Sequence, residues 1–534
     1  MFTHYTKTTI FCCFWLVLIT FSCKSTQKMS NSNLEPHRPV YHFTPPAHWM
    51  NDPNGMVFYE GEYHLFYQYY PEGTVWGPMH WGHAVSKDLV HWEHLPIALY
   101  PDALGLIFSG SAVVDWNNSS GFGENGKPPL VAIFTQHLME GEKAGRHDFQ
   151  YQSIAYSNDR GRTWTKYAGN PVIPNVDKIH DFRDPKVIWD DAHQQWLMVF
   201  AAYDYTMFWS SKNLKNWTYL SSFGKEYGAH GGVWECPDFF PMYVEPASGA
   251  TGVQQQKWVL LQSLNPGLPS GGSGTQYFVG DFDGKTFKLD PEFETAVQNG
   301  KAVWLDWGRD NYAGVTWSDV PKSDGRRIFL GWMSNWDYAN VVPTQNWRSA
   351  MTIPRSLTLH KAGAAYRLHA QPVREFEKQR GKKFAYTNQT VSEKLNLSEK
   401  AGISPATCEL DLEFTPNSKE VELVIELSNS KGESFKIGYD GANNRFFCDR
   451  MKSGNLDFSP KFATQVDFAP RFSTHKTIKM HLFFDRASCE LFADGGEVAM
   501  TEIFFPSEDF SQLTISANKG DVMLHRADLF EIKK

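Results

Sequence analysis

The sequence predicts an all-β protein, a β-propeller followed by a β-sandwich. Three observations carry that expectation. From about His42 to Leu357, short apolar runs alternate with turn residues, and helical periodicity is nearly absent. A weak motif, a Ser-x-Asp/Asn turn followed by an aromatic residue, recurs along the same stretch. Regular short strands then return toward the C-terminus, as a sandwich requires. At 534 residues the chain is too long for one compact core, so two domains are expected.

Near the N-terminus, Lys7 precedes an apolar run, Ile10 to Phe21, that ends at Ser22-Cys23. The run is short for a bilayer span and reads as an export signal. There is no A-x-A-like cleavage site, and a small residue stands directly before Cys23. Residues 1–23 therefore resemble a bacterial lipoprotein signal with Cys23 as the lipidated residue, although Thr20 stands where Leu is usual. An ordinary cleaved signal or a short uncleaved anchor is the alternative. Residues 24–39, rich in Ser, Asn and Lys, are expected to form a flexible tether.

The propeller is expected over residues 40–365. Met56-Val57-Phe58-Tyr59, Glu60-Gly61, then Tyr63-His64-Leu65-Phe66-Tyr67 is a strand–turn–strand signal, and Val187-Ile188-Trp189 with Trp196-Leu197-Met198-Val199-Phe200 repeats it. The recurring motif reads Ser86-Lys87-Asp88-Leu89 before Trp92, Ser157-Asn158-Asp159-Arg160 before Trp164, and Ser211-Lys212-Asn213-Leu214 before Trp217. Asp281-Phe282-Asp283-Gly284 before Phe287 is a looser copy. Recurrence with about four strands per unit marks propeller blades. Coincidental turns in an all-β protein would give a similar pattern. Residues 366–380 are polar and read as a linker, with a short helix as the alternative. Residues 381–534 carry the sandwich strands, such as Glu420 to Leu427 and Thr477 to Phe484.

Composition excludes several functions. A net charge of −8 argues against general nucleic-acid binding, which needs a basic face. Cys236, Cys408, Cys448 and Cys489 are scattered, without a C-x-x-C metal pattern or a dense disulfide framework; a bridge among the last three stays open. His80 and His83, three apart, would face opposite sides of a regular strand, so no metal site is expected. The 19 Trp exceed what a core needs. Several have Gly neighbours, as in Trp76-Gly77 and Trp81-Gly82, which suits a cleft where aromatic faces meet sugar C–H groups.

Three acids sit in unusual settings: Asp52 in Trp49-Met50-Asn51-Asp52-Pro53-Asn54-Gly55, Asp184 in Phe182-Arg183-Asp184-Pro185, and Glu235 in Trp234-Glu235-Cys236-Pro237-Asp238. Cleaving a glycosidic bond with retention needs an acid on the leaving oxygen and a carboxylate nucleophile on the other side of the sugar. Donors around Asp52 would hold it ionised, the apolar neighbours of Glu235 would raise its pKa toward that of a general acid, and Arg183 would keep Asp184 charged. Taken singly, each has a plainer reading: a turn, a structural ion pair, a surface glutamate. Their ordered co-occurrence favours chemistry.

With these three blocks complete, the chain resembles glycoside hydrolase family 32, the β-fructofuranosidases that include invertases, inulinases and levanases. The resemblance continues through Phe66-Tyr67-Gln68-Tyr69, Val75-Trp76-Gly77-Pro78-Met79-His80-Trp81-Gly82-His83 and Phe108-Ser109-Gly110-Ser111. It implies a five-bladed propeller before the sandwich, with Asp52 as nucleophile, Glu235 as acid/base and Asp184 as transition-state stabiliser. It implies that Asn51, Gln68, Trp76, Ser109 and Arg183 line a fructose subsite, and adds Trp49 and Phe108 from the same blocks. Gly274 to Phe282, Trp307 to Ala313 and Trp332 to Ala339 look like segments of microbial exo-inulinases and levanases, so Trp336 and Tyr338 are expected as pocket walls, with core aromatics as the alternative. The expected substrates are fructans (levan or inulin) and sucrose, attacked from the non-reducing end without a cofactor. The expected membrane contact is the lipid at Cys23. An endo-acting enzyme, a fructosyltransferase on the same scaffold, a five-bladed arabinose or xylose glycosidase, and a non-catalytic glycan-binding lipoprotein are the alternatives.

Overall fold

The computed structural model describes residues 35–246, 255–362 and 365–533, with Met1 and Thr3. The apolar run Ile10 to Phe21, Cys23 and most of the expected tether lie outside the described residues. His37–Lys534 forms one unit that holds every strand of the protein described below.

Five strands, His48–Tyr59, Leu106–Val114, Phe182–Asp190, Val233–Tyr243 and Tyr312–Thr316, stand at the centre. Each neighbours the next, and the last returns to the first, closing a ring. Each is the inner strand of an antiparallel sheet that runs outward, which makes five blades. A late segment, Trp347–Arg348, pairs in parallel with His48 and Trp49 of the first blade. Ser318 bridges to Val57 across the same seam. Closure therefore ties the fifth blade to the first by backbone hydrogen bonds as well as by packing.

The recurring motif is one turn used four times, between the third and fourth strands of the first four blades. Ser86 Oγ donates to Asp88 Oδ1 at 3.2 Å, Ser157 to Asp159 at 2.7 Å, and Ser211 to Asn213 at 3.3 Å. The same acid or amide then accepts backbone N–H groups two to four residues on. Asp283 does this without the serine. The next residue is left-handed each time: Leu89, Arg160, Leu214 and Gly284. A side chain that mimics a backbone turn fixes the hairpin, and the aromatic that follows packs between strands.

Two expected boundaries are corrected. Residues 366–372, assigned to the linker, belong to the strand Ala365–Pro372, which pairs in full register with Arg355–Ala362 as the outer strand of the fifth blade. Tyr366, Leu368 and Ala370 are buried, while on the other face Arg367 lies over the Phe472 ring and Gln371 donates to the Gly495 carbonyl, so the polar face of an edge strand was read as linker polarity. A 3₁₀ turn, Arg374–Gln379, then leads into the sandwich. The last residues of the expected tether are also folded. Arg38 lies 4.8 Å over the Trp347 ring and donates to Thr44 Oγ1 at 2.9 Å.

The sandwich consists of two six-stranded sheets over a core that includes Leu410, Leu423, Ile425, Phe435, Leu482 and Leu491. Cys408, Cys448 and Cys489 are buried and free, so the bridge left open by the sequence is not formed. The sandwich meets the propeller through buried charge. Arg355 donates to Asp306 at 2.8 Å, to Thr501 at 2.6 Å and to Glu490. Arg450 donates to Asp310 at 2.6 Å. The ring nitrogens of His42 lie 2.9 Å from Asp485 and from Glu490. Burial alone would lower the pKa of His42, but its hydrogen bonds to the two carboxylates raise it to about 9. Buried pairs of this kind contribute little relative to an apolar substitute, yet removing one partner strands the other. Arg355→Ala should therefore cost roughly 3–5 kcal/mol, read by chemical denaturation followed through tryptophan fluorescence; a loss below about 1 kcal/mol would show that Asp306 and Glu490 find other partners.

Candidate active site

The inner strands share a second feature. Each loses register with its neighbour at the same level of the ring: between Met50 and Pro53, Ile107 and Gly110, Arg183 and Lys186, Glu235 and Asp238, and Tyr312 and Val315. A bulge of this type leaves residues out of the ladder and re-aims their side chains. The residues released include Asn51-Asp52, Phe108-Ser109, Asp184 and Cys236. Pro53, Pro185 and Pro237 follow at positions where no ladder donor is needed. Asp184 and Cys236 adopt φ of 68° and 45°, strained for non-glycine residues. A neighbouring blade holds the first of these distortions and the second strand of the same blade holds the other. Thr135 Oγ1 accepts the Asp184 N–H at 2.9 Å, and Gln262 Nε2 donates to the Glu235 carbonyl at 2.8 Å.

The bulges bring the three acids from three blades together. Asp52 accepts from Ser109 Oγ at 2.8 Å and from Asn51 Nδ2 at 3.0 Å. Asp184 accepts the Cys236 N–H at 3.0 Å. The Cys236 sulfur lies between them, 3.5 Å from Asp52 and 3.7 Å from Asp184. Glu235 accepts from Arg183 Nη2 at 3.1 Å on one oxygen and from the Tyr312 hydroxyl on the other. Arg183 also donates to Asp181. Above the acids, a cavity of about 420 Å³ is walled by Trp76, Phe108 and Trp336, with Arg183, Asp181 and Glu235 on its floor.

The electrostatics revise the sequence-based sorting. Burial, then the charge of Glu235, push the Asp52 pKa up, against hydrogen bonds from Ser109, Asn51 and Cys236 that pull it down; the net shift is upward. Arg183 was expected to keep Asp184 ionised, but its nearest approach is 3.9 Å. Burial dominates and, with the charges of Glu235 and Asp52, raises Asp184 to about 7 despite Arg183. Glu235 was expected in an apolar setting. Trp234 instead points away, fully buried against Phe278 and His230, because successive residues of a strand face opposite sides. The surroundings of Glu235 are a guanidinium and a phenol.

The other expected site residues divide. Asn51 and Ser109 touch Asp52, Arg183 touches Glu235, and Trp76, Phe108 and Trp336 line the cavity. Gln68 is buried, and its amide nitrogen has no hydrogen-bond partner among the described residues. Trp49 is corrected: it has no exposed surface with which to touch a sugar. Its indole N–H donates to Asn51 Oδ1 at 2.7 Å and its ring stacks 5.9 Å from Trp336, so it positions both from below. Tyr338 is a core residue, buried and hydrogen-bonded to Asp310. Cys236, Tyr312 and Asp181 enter the site without having been singled out. The signal for Asp181 was an acid two residues before Arg183, the spacing that puts both on one face of a strand. Tyr312 comes from another blade, and nothing local marked it.

Carboxylates brought together from three blades beside an aromatic-walled cavity suit the cleavage of a glycosidic bond. The family model of the glycosyl hydrolases family 32 N-terminal domain matches residues 42–372, and that of the family's C-terminal domain matches 375–531. The chain is 49% identical over 520 residues to a levanase of Bacillus subtilis (strain 168), covering 97% of this chain and 74% of that protein. It is 41% identical to an extracellular exo-inulinase of Aspergillus awamori, covering 93% and 95%. The crystal structure of an exo-inulinase from Aspergillus awamori superposes with a TM-score of 0.85 at 38% identity, covering 94% of this chain and 99% of that one. This chain belongs to glycoside hydrolase family 32.

Burial of Asp184 has a consequence for stability. Its folded pKa, about 7, lies above the unfolded value of 3.8, so the folded state binds the extra proton between them and loses stability as pH rises through that window. Asp184→Asn should abolish turnover yet raise stability at pH 7 by about 1–4 kcal/mol. The gain should vanish near pH 4, as read by melting temperatures across pH. A variant less stable than wild type at pH 7 would show that the charge is held comfortably.

Proposed function

We propose that this protein is a retaining, exo-acting β-fructosidase that releases fructose from the non-reducing ends of levan or inulin, and from sucrose. The observation that carries this reading is the convergence of Asp52 and Glu235 from two blades, each held by different donors, with Glu235 on the floor of the aromatic-walled cavity. The levanase and exo-inulinase names of its relatives support the choice of sugar.

In this mechanism Glu235, oriented by Arg183 and Tyr312, gives its proton to the leaving oxygen. Asp52, oriented by Ser109 and Asn51, attacks C2 of the terminal fructosyl unit, and the C2–oxygen bond breaks through an oxocarbenium-like transition state. Asp184 accepts hydrogen bonds from the ring hydroxyls. Glu235, now a carboxylate, takes a proton from water, which attacks C2 and frees Asp52; fructose leaves with its configuration retained. Trp76, Phe108 and Trp336 wall the cavity and limit it to a chain end. The mechanism needs no cofactor.

The same reading places the enzyme outside the cytoplasm, held to a bacterial membrane by a lipid on Cys23. Cys23→Ser should move activity from the membrane fraction to the soluble exported fraction; unchanged partitioning would count against the anchor. For the chemistry, purified protein is incubated with levan, inulin and sucrose, and products are resolved over time. Fructose alone from the earliest points is expected; early oligosaccharides would mean endo attack, and no release from any substrate would refute the function. Asp52→Ala should lose at least ~10²–10⁴ in rate while melting as a folded protein, and wild-type-like turnover in that variant would sink the assignment.

A further inference from the structure

A second cavity, about 600 Å³, opens at the other end of the propeller axis. The acids occupy the N-terminal parts of the inner strands, whereas this cavity is lined by their C-terminal ends: Val113 and Val114, Ile188 and Trp189, and Pro241. Val114 lies five positions beyond Ser109, and Trp189 five beyond Asp184. At about 3.3 Å per residue, the two sites lie on the order of 16 Å apart along the axis. The lower cavity is therefore distinct from the catalytic one.

Its chemistry is specific. Trp116 is 60% exposed, yet its ring is fixed, because the indole N–H donates to Asp319 Oδ1 at 2.8 Å. A large aromatic face left in water and held rigid is the usual platform for the C–H face of a sugar. Trp189 offers a second ring in the same wall. Arg327 also lines the cavity. Among the described residues its guanidinium lies 4.7 Å over the Phe240 ring and makes no hydrogen bond, which leaves its donors for a ligand. The buried Ser318 hydroxyl, also in the lining, has no partner among the described residues. The remaining charges cancel: Lys322 pairs with Asp191 at 3.2 Å, and Asp319 offsets Arg327. A wall with aromatic faces, free donors, carboxylate acceptors and no net charge suits a neutral polyhydroxylated ligand rather than an anion or a cation. The volume lies within the range of small-molecule sites.

We propose that this lower cavity is a non-catalytic binding site for a short segment of fructan, stacked on Trp116 and hydrogen-bonded by Arg327. The proposal rests on the fructosidase reading for the identity of the sugar. The site holds the enzyme on the polymer between turnovers while the catalytic cavity works on chain ends, so it acts on long substrates and not on sucrose.

The test uses the full-length protein and two variants, Trp116→Ala and Arg327→Met, each checked for an unchanged melting profile. Trp116 is exposed, so its removal leaves the core intact and decides the matter if Arg327→Met fails to fold. Affinity for levan and inulin is measured by retardation in polymer-containing gels in the Asp52→Ala background. Activity is measured separately, on sucrose and on polymer, with Asp52 intact. The expected result is a loss of polymer affinity of roughly threefold to tenfold, with a matching rise in KM on polymer, while kcat/KM on sucrose stays within about twofold of wild type. Unchanged polymer affinity in Trp116→Ala overturns the proposal, as does a parallel loss on sucrose. Wild type that hydrolyses fructans while Trp116→Ala binds them equally well refutes only this site; wild type that releases fructose from nothing refutes the function on which it rests.

Discussion

The whole acid cluster depends on one distortion, the loss of register in the inner strand of each blade at one level of the ring. A regular strand would send alternate side chains into the two neighbouring blades and leave the axis lined by backbone. The bulges turn Asp52, Ser109 and Asp184 toward a common point, and aim Glu235 there from the edge of its own bulge. The cost is backbone strain, on the order of 1–3 kcal/mol at each left-handed residue such as Asp184 and Cys236. Side chains from adjacent strands, Thr135 and Gln262, hold the distorted backbone in place. Closure of the ring supplies the rest, since a blade free to move would relax its bulge.

The second constraint is electrostatic. Four carboxylates, Asp52, Asp181, Asp184 and Glu235, share a largely buried site with one guanidinium. Arg183 is committed to Asp181 and Glu235, and Asp184 must manage with a backbone N–H and a thiol. That division keeps the cluster short of positive charge, which is why burial carries Asp184 to about 7 and shifts Asp52 upward. A cluster that retains a proton near neutrality suits a reaction in which one carboxylate must donate while another attacks. Where the propeller meets the sandwich the opposite holds: the buried charges around Arg355, Arg450 and His42 are each paired, so removing one partner would strand another.

The fold, and three acids that the structure brings together, were legible in the sequence. The Ser-x-Asp/Asn turn proved to be one hydrogen-bonding device repeated blade after blade, and the Pro and Gly residues beside each acid marked places where ladders break. The electrostatic environment was not legible, because chain neighbours on a strand are not spatial neighbours. Trp234 flanks Glu235 in sequence and faces the other way, while Tyr312, which touches Glu235, is contributed by another blade. Trp49 fails as a sugar contact for the same reason and serves as a support under Asn51. The misplaced linker has a different cause, since the outward face of an edge strand is as polar as a loop.

If the bulges present Asp52 to the sugar as a nucleophile opposite Glu235, a covalent fructosyl-enzyme must form on Asp52, and trapping it is the decisive experiment. Glu235→Gln protein is mixed with a fructoside carrying a good leaving group, quenched in acid and digested, and the peptides are weighed. One fructosyl unit is expected on the peptide containing Asp52, absent when Asp52→Asn is combined with Glu235→Gln. A fructosyl unit on another residue, or full turnover with inverted configuration and no adduct, would contradict the assignment of Asp52 as nucleophile.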